Sequence, residues 1–186
     1  MKITGMRTDF IWTGTRNWVV VRVDTDAGLT GIGEAFPVGP DRAIAETVAY
    51  FQSWIEGWDP FDIERVWHEL YAGSRFPTGS IITAAISGID QALWDIKGKA
   101  LGVPVYELLG GKVRDRIRVY QSPEGDTAEG LADDARRLVE RHDFTALKIG
   151  PFAVEADERS WHHQLDDAEH RLAAVRDAVG PEIDIG

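Results

Sequence analysis

The segment from Ala85 to Tyr120 constrains the fold of this chain more than any other. Its first part is apolar on nearly every side of a helix and ends at Gly98, and Pro104 then starts a single helical turn. Gly110 and Gly111 break that turn, and a run of strand-forming residues follows. This order predicts a buried helix that is followed, through one short turn of helix, by the first strand of a new sheet.

The residues before this segment predict a small antiparallel sheet. Strands are expected over residues 2–10, 18–24 and 29–34. Valines alternate with polar residues in the second strand, and the turn Asp26-Ala27-Gly28 joins it to the third. Gly31 and Gly33 in the third strand indicate a bulge or a close approach of another backbone. The sequence therefore predicts a three-stranded meander.

Three helices are predicted after the meander. We expect Asp41 to cap the first and Asp59-Pro60 to start the second, because both patterns are typical of helix N-termini. The third helix is expected over residues 80–97, with Gly98 as its stop. Asp90 and Asp95 on this helix are interpreted as paired structural carboxylates, because burying an unpaired charge is costly. The N-terminal region is thus predicted to be α+β.

From Arg116 onward, strands alternate with helices. Strands are expected over residues 117–121, 144–149 and 182–185, an alternation typical of βαβ units in a parallel sheet. A closed eight-unit barrel takes roughly 250 residues. We therefore expect two domains, 1–112 and 113–186, with only the first two to three βα units of a barrel in the second. Because an open parallel edge is a poor structure by itself, the chain is expected to be part of a larger protein.

Composition excludes several classes of function. The chain has no cysteine, which excludes disulfides and thiolate metal ligands, and its formal charge of -11 argues against a nucleic-acid partner. No apolar run approaches the ~18 residues of a membrane span, and the N-terminus does not resemble a signal peptide. A cytoplasmic location is therefore expected. Most of the seven tryptophans are expected in the core.

The segment Ala85–Tyr120 closely resembles the junction between the capping domain and the (β/α) barrel in the mandelate racemase/muconate lactonizing branch of the enolase superfamily. The resemblance implies an α+β capping domain, a three-stranded antiparallel meander plus helices, followed by the start of a TIM-type barrel. It also implies Mg²⁺, which compensates the charge of an enediolate. In the family the metal ligands are acidic residues at the ends of the third to fifth strands, so they are expected beyond Gly186. Asp184 is interpreted as an early strand residue and not as a ligand.

Lys148 is the candidate catalytic residue. It ends the predicted second barrel strand, and barrel enzymes place their catalytic groups at such ends. From spacing alone, a surface lysine whose charge reaches solvent is an equal alternative. In the family, a lysine here touches the substrate carboxylate or transfers a proton, and some members carry a second lysine two residues later as the base. Gly150 stands at that second position, which favours a dehydratase over a racemase.

Three residues are candidates for substrate binding. In relatives the loops after the first and third strands close over the barrel mouth, and by position these are residues 13–17 and 36–40, which makes Arg16 and Phe36 candidates. Arg75 is the third, because residues 71–77 resemble a loop of galactonate-type dehydratases in which an arginine approaches the site. A guanidinium binds a carboxylate bidentately. An exposed loop arginine without function is the alternative for both arginines.

The sequence therefore predicts the N-terminal portion of a Mg²⁺-dependent acid-sugar dehydratase, a lyase that abstracts the proton next to a carboxylate and forms an enediolate. A racemase, epimerase or lactone cycloisomerase of the same family is the first alternative. The second is a non-catalytic capping or oligomerisation fragment, because the expected metal ligands are absent and the chain alone is expected to be inactive. The expected partners are a small acid sugar or related carboxylate and further copies of the chain, with no nucleic acid and no membrane.

Overall fold

The computed structural model describes residues 1–36, 39–76, 79–152 and 159–186. The chain divides into two compact units, Met1–Val113 and Arg114–Gly186. Each unit contains its own cluster of buried apolar side chains.

The first unit is built on a three-stranded antiparallel sheet. Its strands are β1 (Ile3–Trp12), β2 (Asn17–Thr25) and β3 (Thr30–Ala35), in the order β1-β2-β3. Thr8 faces Val21, and Val21 faces Gly33 in the register of the sheet. Because side chains alternate between the two faces of a strand, Val19, Val21 and Val23 are all buried on one face. The predicted meander is confirmed.

Helices follow the sheet, and the first and third of them pack on its buried face. They are α1 (Asp41–Ile55), α2 (Ile63–Ala72), α3 (Ser80–Leu101) and the short α4 (Val105–Leu108). Apolar residues at helical spacing on α1, α2 and α3 join the valines of β2 in one core. Pro104 precedes α4, and Gly110 and Gly111 follow it with positive φ, as the sequence predicted.

Three predicted helix boundaries are wrong. The helix α3 continues through Gly98 and ends at Gly102, whose φ of 69° is the left-handed conformation that stops a helix. The helix α2 starts at Ile63 because the Asp59 carboxylate accepts a hydrogen bond from the Phe61 N–H (3.0 Å), which closes a turn before the helix. Asp41 is the first residue of α1, and its side chain makes no capping bond.

The strand β3 lies against the backbone of α3. A Cβ atom on Gly33 would come within 2.0 Å of the Gly88 carbonyl oxygen, so the predicted close approach of backbones is confirmed. Side chains of α3 also bond the outer edge of β3. Asp95 accepts from the Ile32 N–H (2.9 Å) and Gln91 accepts from the Glu34 N–H (3.1 Å). The Glu34 carbonyl in turn accepts from the Gln91 side chain (3.0 Å), and the Thr30 carbonyl accepts from Lys99 (2.7 Å).

The second unit alternates helices with short strands. Its elements are α5 (Ala128–His142), β4 (Ala146–Leu147), α6 (Trp161–Val179) and β5 (Asp184–Ile185). The strands β4 and β5 pair in parallel, as expected for βαβ units. The strand predicted over residues 117–121 is wrong in extent, because only Gln121 forms a bridge, to Leu147. The residues before it lack strand pairing, and Ile117 is 77% exposed.

Two further expectations concern apolar surface. Among the helices that the structure describes, none is both long and apolar enough to cross a membrane. The expectation that most tryptophans are buried is wrong: Trp12, Trp18, Trp67 and Trp161 are exposed, and the other three are half-buried.

Candidate functional site

Three extended segments of the second unit lie side by side. The Lys148 N–H donates to the Gln121 carbonyl (3.0 Å), and the Ile149 N–H donates to the Gly186 carbonyl (2.9 Å). The Gly186 N–H completes the ladder by donating to the Leu147 carbonyl (3.0 Å). The three segments therefore run in the same direction, and Gln121 and Lys148 lie at the C-terminal ends of the first two, where parallel α/β sheets place ligand sites.

Lys148 projects from the face of this ladder that lies opposite the helices. Leu147 and Ile149 are buried in the apolar cluster formed with α5 and α6, and alternation directs the side chain between them the other way. Lys148 is exposed there and lines a cleft of about 420 Å³ together with Tyr120 and Asp184. The predicted strand-end lysine thus lies in a concave position, and no ion pair joins it to the residues that the structure describes.

Two residues that the sequence analysis did not single out share this face with Lys148. Arg118 forms an ion pair with Asp184 (2.6 Å) and donates to the side chain and the carbonyl of Thr145 (2.9 and 2.6 Å). Tyr120 lies two residues later and brings its phenol to the same cleft. The alternation of Arg118 and Tyr120 within residues 117–121 is the signal that could have identified them. Asp184 is occupied by this ion pair, which fits its interpretation as a strand residue.

Arg16 and Phe36 lie together in the first unit. The loop between β1 and β2 is closed by the Thr13 N–H and hydroxyl, which both donate to the Arg16 carbonyl (3.0 and 2.7 Å). The Arg16 guanidinium lies 5.7 Å from the ring centroid of Phe36, just after β3, a cation–π distance. Phe36 is 59% exposed. Pro37 and Val38 of the predicted closing loop lie outside the described residues.

Arg75 lies on a separate loop after α2. Its guanidinium is 5.7 Å from the ring centroid of Phe76, and both residues are exposed. Within the described part of the chain, no hydrogen bond or ring contact joins Arg75 to Arg16 or Phe36. Pro77, the last residue of the segment that suggested Arg75, is outside the described residues. The arrangement brings together two of the three predicted substrate-binding residues.

The two aspartates of α3 differ, so their prediction as paired carboxylates is wrong for one of them. Asp95 accepts from the Ile32 N–H and forms an ion pair with Lys99 (2.6 Å). Asp90 makes no hydrogen bond or ion pair with the residues that the structure describes. Burial raises the pKa of Asp90 above its ordinary value, and the neighbouring Glu64 carboxylate raises it further. Helical spacing placed both on one helix but could not show which would meet a cation.

A metal centre is not formed by the described residues. Within residues 1–36, 39–76, 79–152 and 159–186, no three His, Asp or Glu side chains converge closely enough to hold one ion. Because Mg²⁺ is bound through several oxygen ligands, commonly carboxylates, the described residues by themselves do not fit it.

The antiparallel sheet with helices on one face, followed by parallel strand ends that carry a lysine, defines the N-terminal architecture of an enolase-type enzyme. The family model described as "Mandelate racemase / muconate lactonizing enzyme, N-terminal domain" matches residues 4–110 of this chain. The chain belongs to this family of the enolase superfamily, and its first unit has the fold of the family's capping domain.

Curated relatives match along the entire chain. It is 40% identical to a D-galactonate dehydratase of Variovorax paradoxus and 37% identical to a D-galactonate dehydratase of Xanthomonas campestris. Both alignments cover 100% of this chain and 47% of the relative, so the chain spans about half the length of the curated relatives it matches.

Solved structures agree with these matches. An enolase from Agrobacterium radiobacter, with sodium and L-malate bound, has a TM-score of 0.87 at 36% identity and is matched over 47% of its length. A member of the enolase superfamily from Salmonella Typhimurium has a TM-score of 0.88 at 35% identity and is matched over 53% of its length.

Proposed function

We propose that this chain supplies the N-terminal part of an acid-sugar dehydratase. The observation that carries the proposal is the match, across 100% of the chain and at 37–40% identity, to proteins named D-galactonate dehydratase. Gly150 supports the same choice, because a second lysine is absent at the position where racemases of the family carry their base. The base of the reaction would come from another part of the protein.

The proposed reaction removes water from a hydroxylated carboxylate. The C–H bond next to the carboxylate breaks, and the resulting enediolate expels the hydroxyl of the adjacent carbon, which leaves as water once it gains a proton. The enol that remains becomes a 2-keto acid. Negative charge grows on the carboxylate during the first step, so a nearby cation lowers the barrier. We assign this role to the Lys148 ammonium, which is exposed at the strand end.

The proposed substrate is an acid sugar, a chain of hydroxyls with a terminal carboxylate. Arg16 would bind an anionic or hydroxyl group of it, with the Phe36 ring 5.7 Å from the guanidinium holding that side chain in place. Arg75 would act in the same way from its own loop. The L-malate bound to the Agrobacterium enolase is a hydroxylated carboxylate, a compound of the same chemical class.

Mg²⁺ supplies charge compensation in enolase-superfamily enzymes. The described residues of this chain do not converge into a ligand set for it. We therefore propose that the 186-residue chain alone is non-catalytic and that, within the larger protein, it contributes the Lys148 cation and recognition of the substrate. Calorimetric titration with Mg²⁺ tests this: no heat of binding is expected, and stoichiometric binding would refute it.

A chimera tests the dehydratase assignment. Residues 1–186 would be joined to the remaining part of the Variovorax D-galactonate dehydratase, with the intact relative as positive control, and assayed on a panel of aldonic and aldaric acids in D₂O. Formation of a 2-keto acid is the expected result. If the chimera instead exchanges the proton next to the carboxylate without loss of water, a racemase or epimerase role replaces the proposal. A folded chimera that processes none of these acids would also contradict it.

A further inference from the structure

The backbone of the loop between β1 and β2 is fixed on both sides of Arg16. Trp12 and Asn17 face each other on the two strands, and the Arg16 carbonyl accepts two hydrogen bonds from Thr13 (3.0 and 2.7 Å). The Arg16 side chain is exposed and makes no hydrogen bond or ion pair with the residues that the structure describes. The direction of its guanidinium therefore depends on the contacts around this loop.

The Asn17 side chain joins this loop to the start of α1. Its amide donates a hydrogen bond to the carboxylate of Asp41, the first residue of the helix (3.0 Å). Both residues are half-buried. Because the acceptor is charged, this bond is roughly twice as strong as one between neutral groups. The residue that follows Arg16 is therefore bonded to an element 24 residues further along the chain.

The Asp41 carboxylate has no other partner in the described part of the chain. It caps no N–H group of α1 and forms no ion pair there. A guanidinium is a strong partner for a carboxylate, because it can donate two parallel hydrogen bonds to it. Asp41 is instead bonded to the neutral amide of Asn17, so this carboxylate does not neutralise the charge of the neighbouring Arg16.

The chain between β3 and α1 contacts the loop a second time, through Phe36. The Phe36 ring, just after β3, lies 5.7 Å from the Arg16 guanidinium, and Asp41 at the start of α1 bonds the next residue, Asn17. One contact is made with the side chain of Arg16, and the other fixes the backbone beside it. Because an arginine side chain has many rotamers, both contacts are needed to give its guanidinium one direction.

We propose that Asn17 and Asp41 are positioning residues that hold Arg16 in the direction in which it binds the substrate. The inference depends on the proposed function, in which Arg16 binds an anionic or hydroxyl group of an acid sugar. Neither Asn17 nor Asp41 touches the substrate. Their bond reduces the conformational freedom that Arg16 loses on binding, and such preorganisation increases affinity.

Steady-state kinetics of the chimera with the Variovorax D-galactonate dehydratase test the proposal. Asn17→Ala is expected to raise KM for D-galactonate by about 3- to 10-fold, the cost of immobilising one long side chain, while kcat stays within about twofold. Asp41→Ala should also raise KM. Asp41→Asn keeps an acceptor for the Asn17 amide and should leave KM within about twofold of the parent. Glu46→Ala removes an exposed carboxylate of the same helix and is the matched control.

A double-mutant cycle separates positioning of Arg16 from a general structural effect. Arg16→Met is expected to raise KM by about tenfold or more, because it removes a charged donor. In the Arg16→Met background, Asn17→Ala should change KM by less than about 1.5-fold, since no guanidinium remains to be positioned. If circular dichroism shows that Asn17→Ala does not fold, Asp41→Ala takes its place in the cycle, with Asp41→Asn as its control.

Three results would overturn the proposal while the dehydratase assignment stands. In each, the chimera forms a 2-keto acid. The first is an Asn17→Ala variant whose KM equals that of the parent. The second is an equal effect of Asn17→Ala with and without Arg16, which would show that Asn17 acts on the fold and not through the guanidinium. The third is a rise in KM for Asp41→Asn as large as for Asp41→Ala. A folded chimera that forms no 2-keto acid contradicts the proposed function and this inference with it.

Discussion

Replacing Gly33 of β3 with alanine tests how tightly the sheet lies on α3. The new Cβ atom would lie 2.0 Å from the Gly88 carbonyl oxygen and 2.9 Å from the Ala92 nitrogen, whereas real Cβ contacts stay above 3.0 Å. Both neighbours are backbone atoms of a helix and cannot rotate away. The strand must therefore move by at least about 1 Å. Backbone shifts of this kind, caused by overpacking, cost ~1–3 kcal/mol of stability.

The same displacement breaks hydrogen bonds at the edge of β3. Gln91 is bonded to the Glu34 N–H and carbonyl at 3.1 and 3.0 Å, and 1 Å of extra separation takes both beyond hydrogen-bond range. Each net loss is about 1 kcal/mol. Together with the steric cost, Gly33→Ala is expected to lower the free energy of unfolding by about 3–5 kcal/mol, a large part of the ~5–15 kcal/mol typical of a domain.

Urea unfolding followed by tryptophan fluorescence is the assay, because six of the seven tryptophans lie in the first unit. Gly5→Ala is the matched control: Gly5 is also in the sheet, its φ is not positive, and a Cβ there meets nothing within 4 Å. That variant should be neutral or more stable by up to about 1 kcal/mol. If Gly33→Ala changes stability no more than Gly5→Ala does, the close packing of β3 on α3 is refuted.

Three carboxylates give further predictions. Asp90→Asn should raise the free energy of unfolding at pH 7 by up to about 1 kcal/mol. Burial and the Glu64 carboxylate raise the pKa of Asp90 above 3.8, so ionisation of Asp90 lowers stability as the pH rises through the folded-state pKa. Urea unfolding midpoints of both proteins at pH 4 and pH 7 measure this difference. Asp95→Ala should lower stability by about 1–2 kcal/mol in the same assay, because the Ile32 N–H loses its acceptor. The Glu124 N–H and Arg137 hold the pKa of Asp134 below 3.8. The stabilisation that ionised Asp134 provides is therefore present above pH 3.8 and is lost as the pH falls through the folded-state pKa. Asp134→Asn should remove this acid-dependent loss, which is measured by acid titration of the helical circular dichroism signal.

The antiparallel sheet and the helices that pack on it were predictable because they depend on local sequence patterns. The alternation of Val19, Val21 and Val23 predicted the buried face of β2, and the glycine spacing in β3 predicted a bulge or a close approach of another backbone, which the structure shows to be that of α3. The end of α3 was not predictable in this way. Gly98 is glycine because a Cβ there would lie 2.9 Å from the Val103 carbonyl, so its reason is packing and not helix termination.

Longer-range partners explain the other differences. Strand-forming residues at 117–121 pair only through Gln121, because hydrogen bonding to a neighbour, and not propensity, makes a strand. The position of Lys148 just after a strand was predicted from the short apolar run that precedes it. The contact between Arg16 and Phe36 joins two loops separated by two strands, and no periodic pattern in the sequence reports such a contact.

We propose that Lys148 provides the substrate-facing cation of an acid-sugar dehydratase. The most direct test is kcat/KM for D-galactonate in the chimera with the Variovorax enzyme, measured for Lys148→Met and for Lys2→Met, an exposed lysine far from it in the sequence. Removing a group that acts on the developing charge typically costs 10²–10³ in rate, so Lys148→Met should fall at least about 100-fold while Lys2→Met stays unchanged. If Lys148→Met keeps kcat/KM within about threefold of the parent, Lys148 has no part in the reaction and the claim is contradicted.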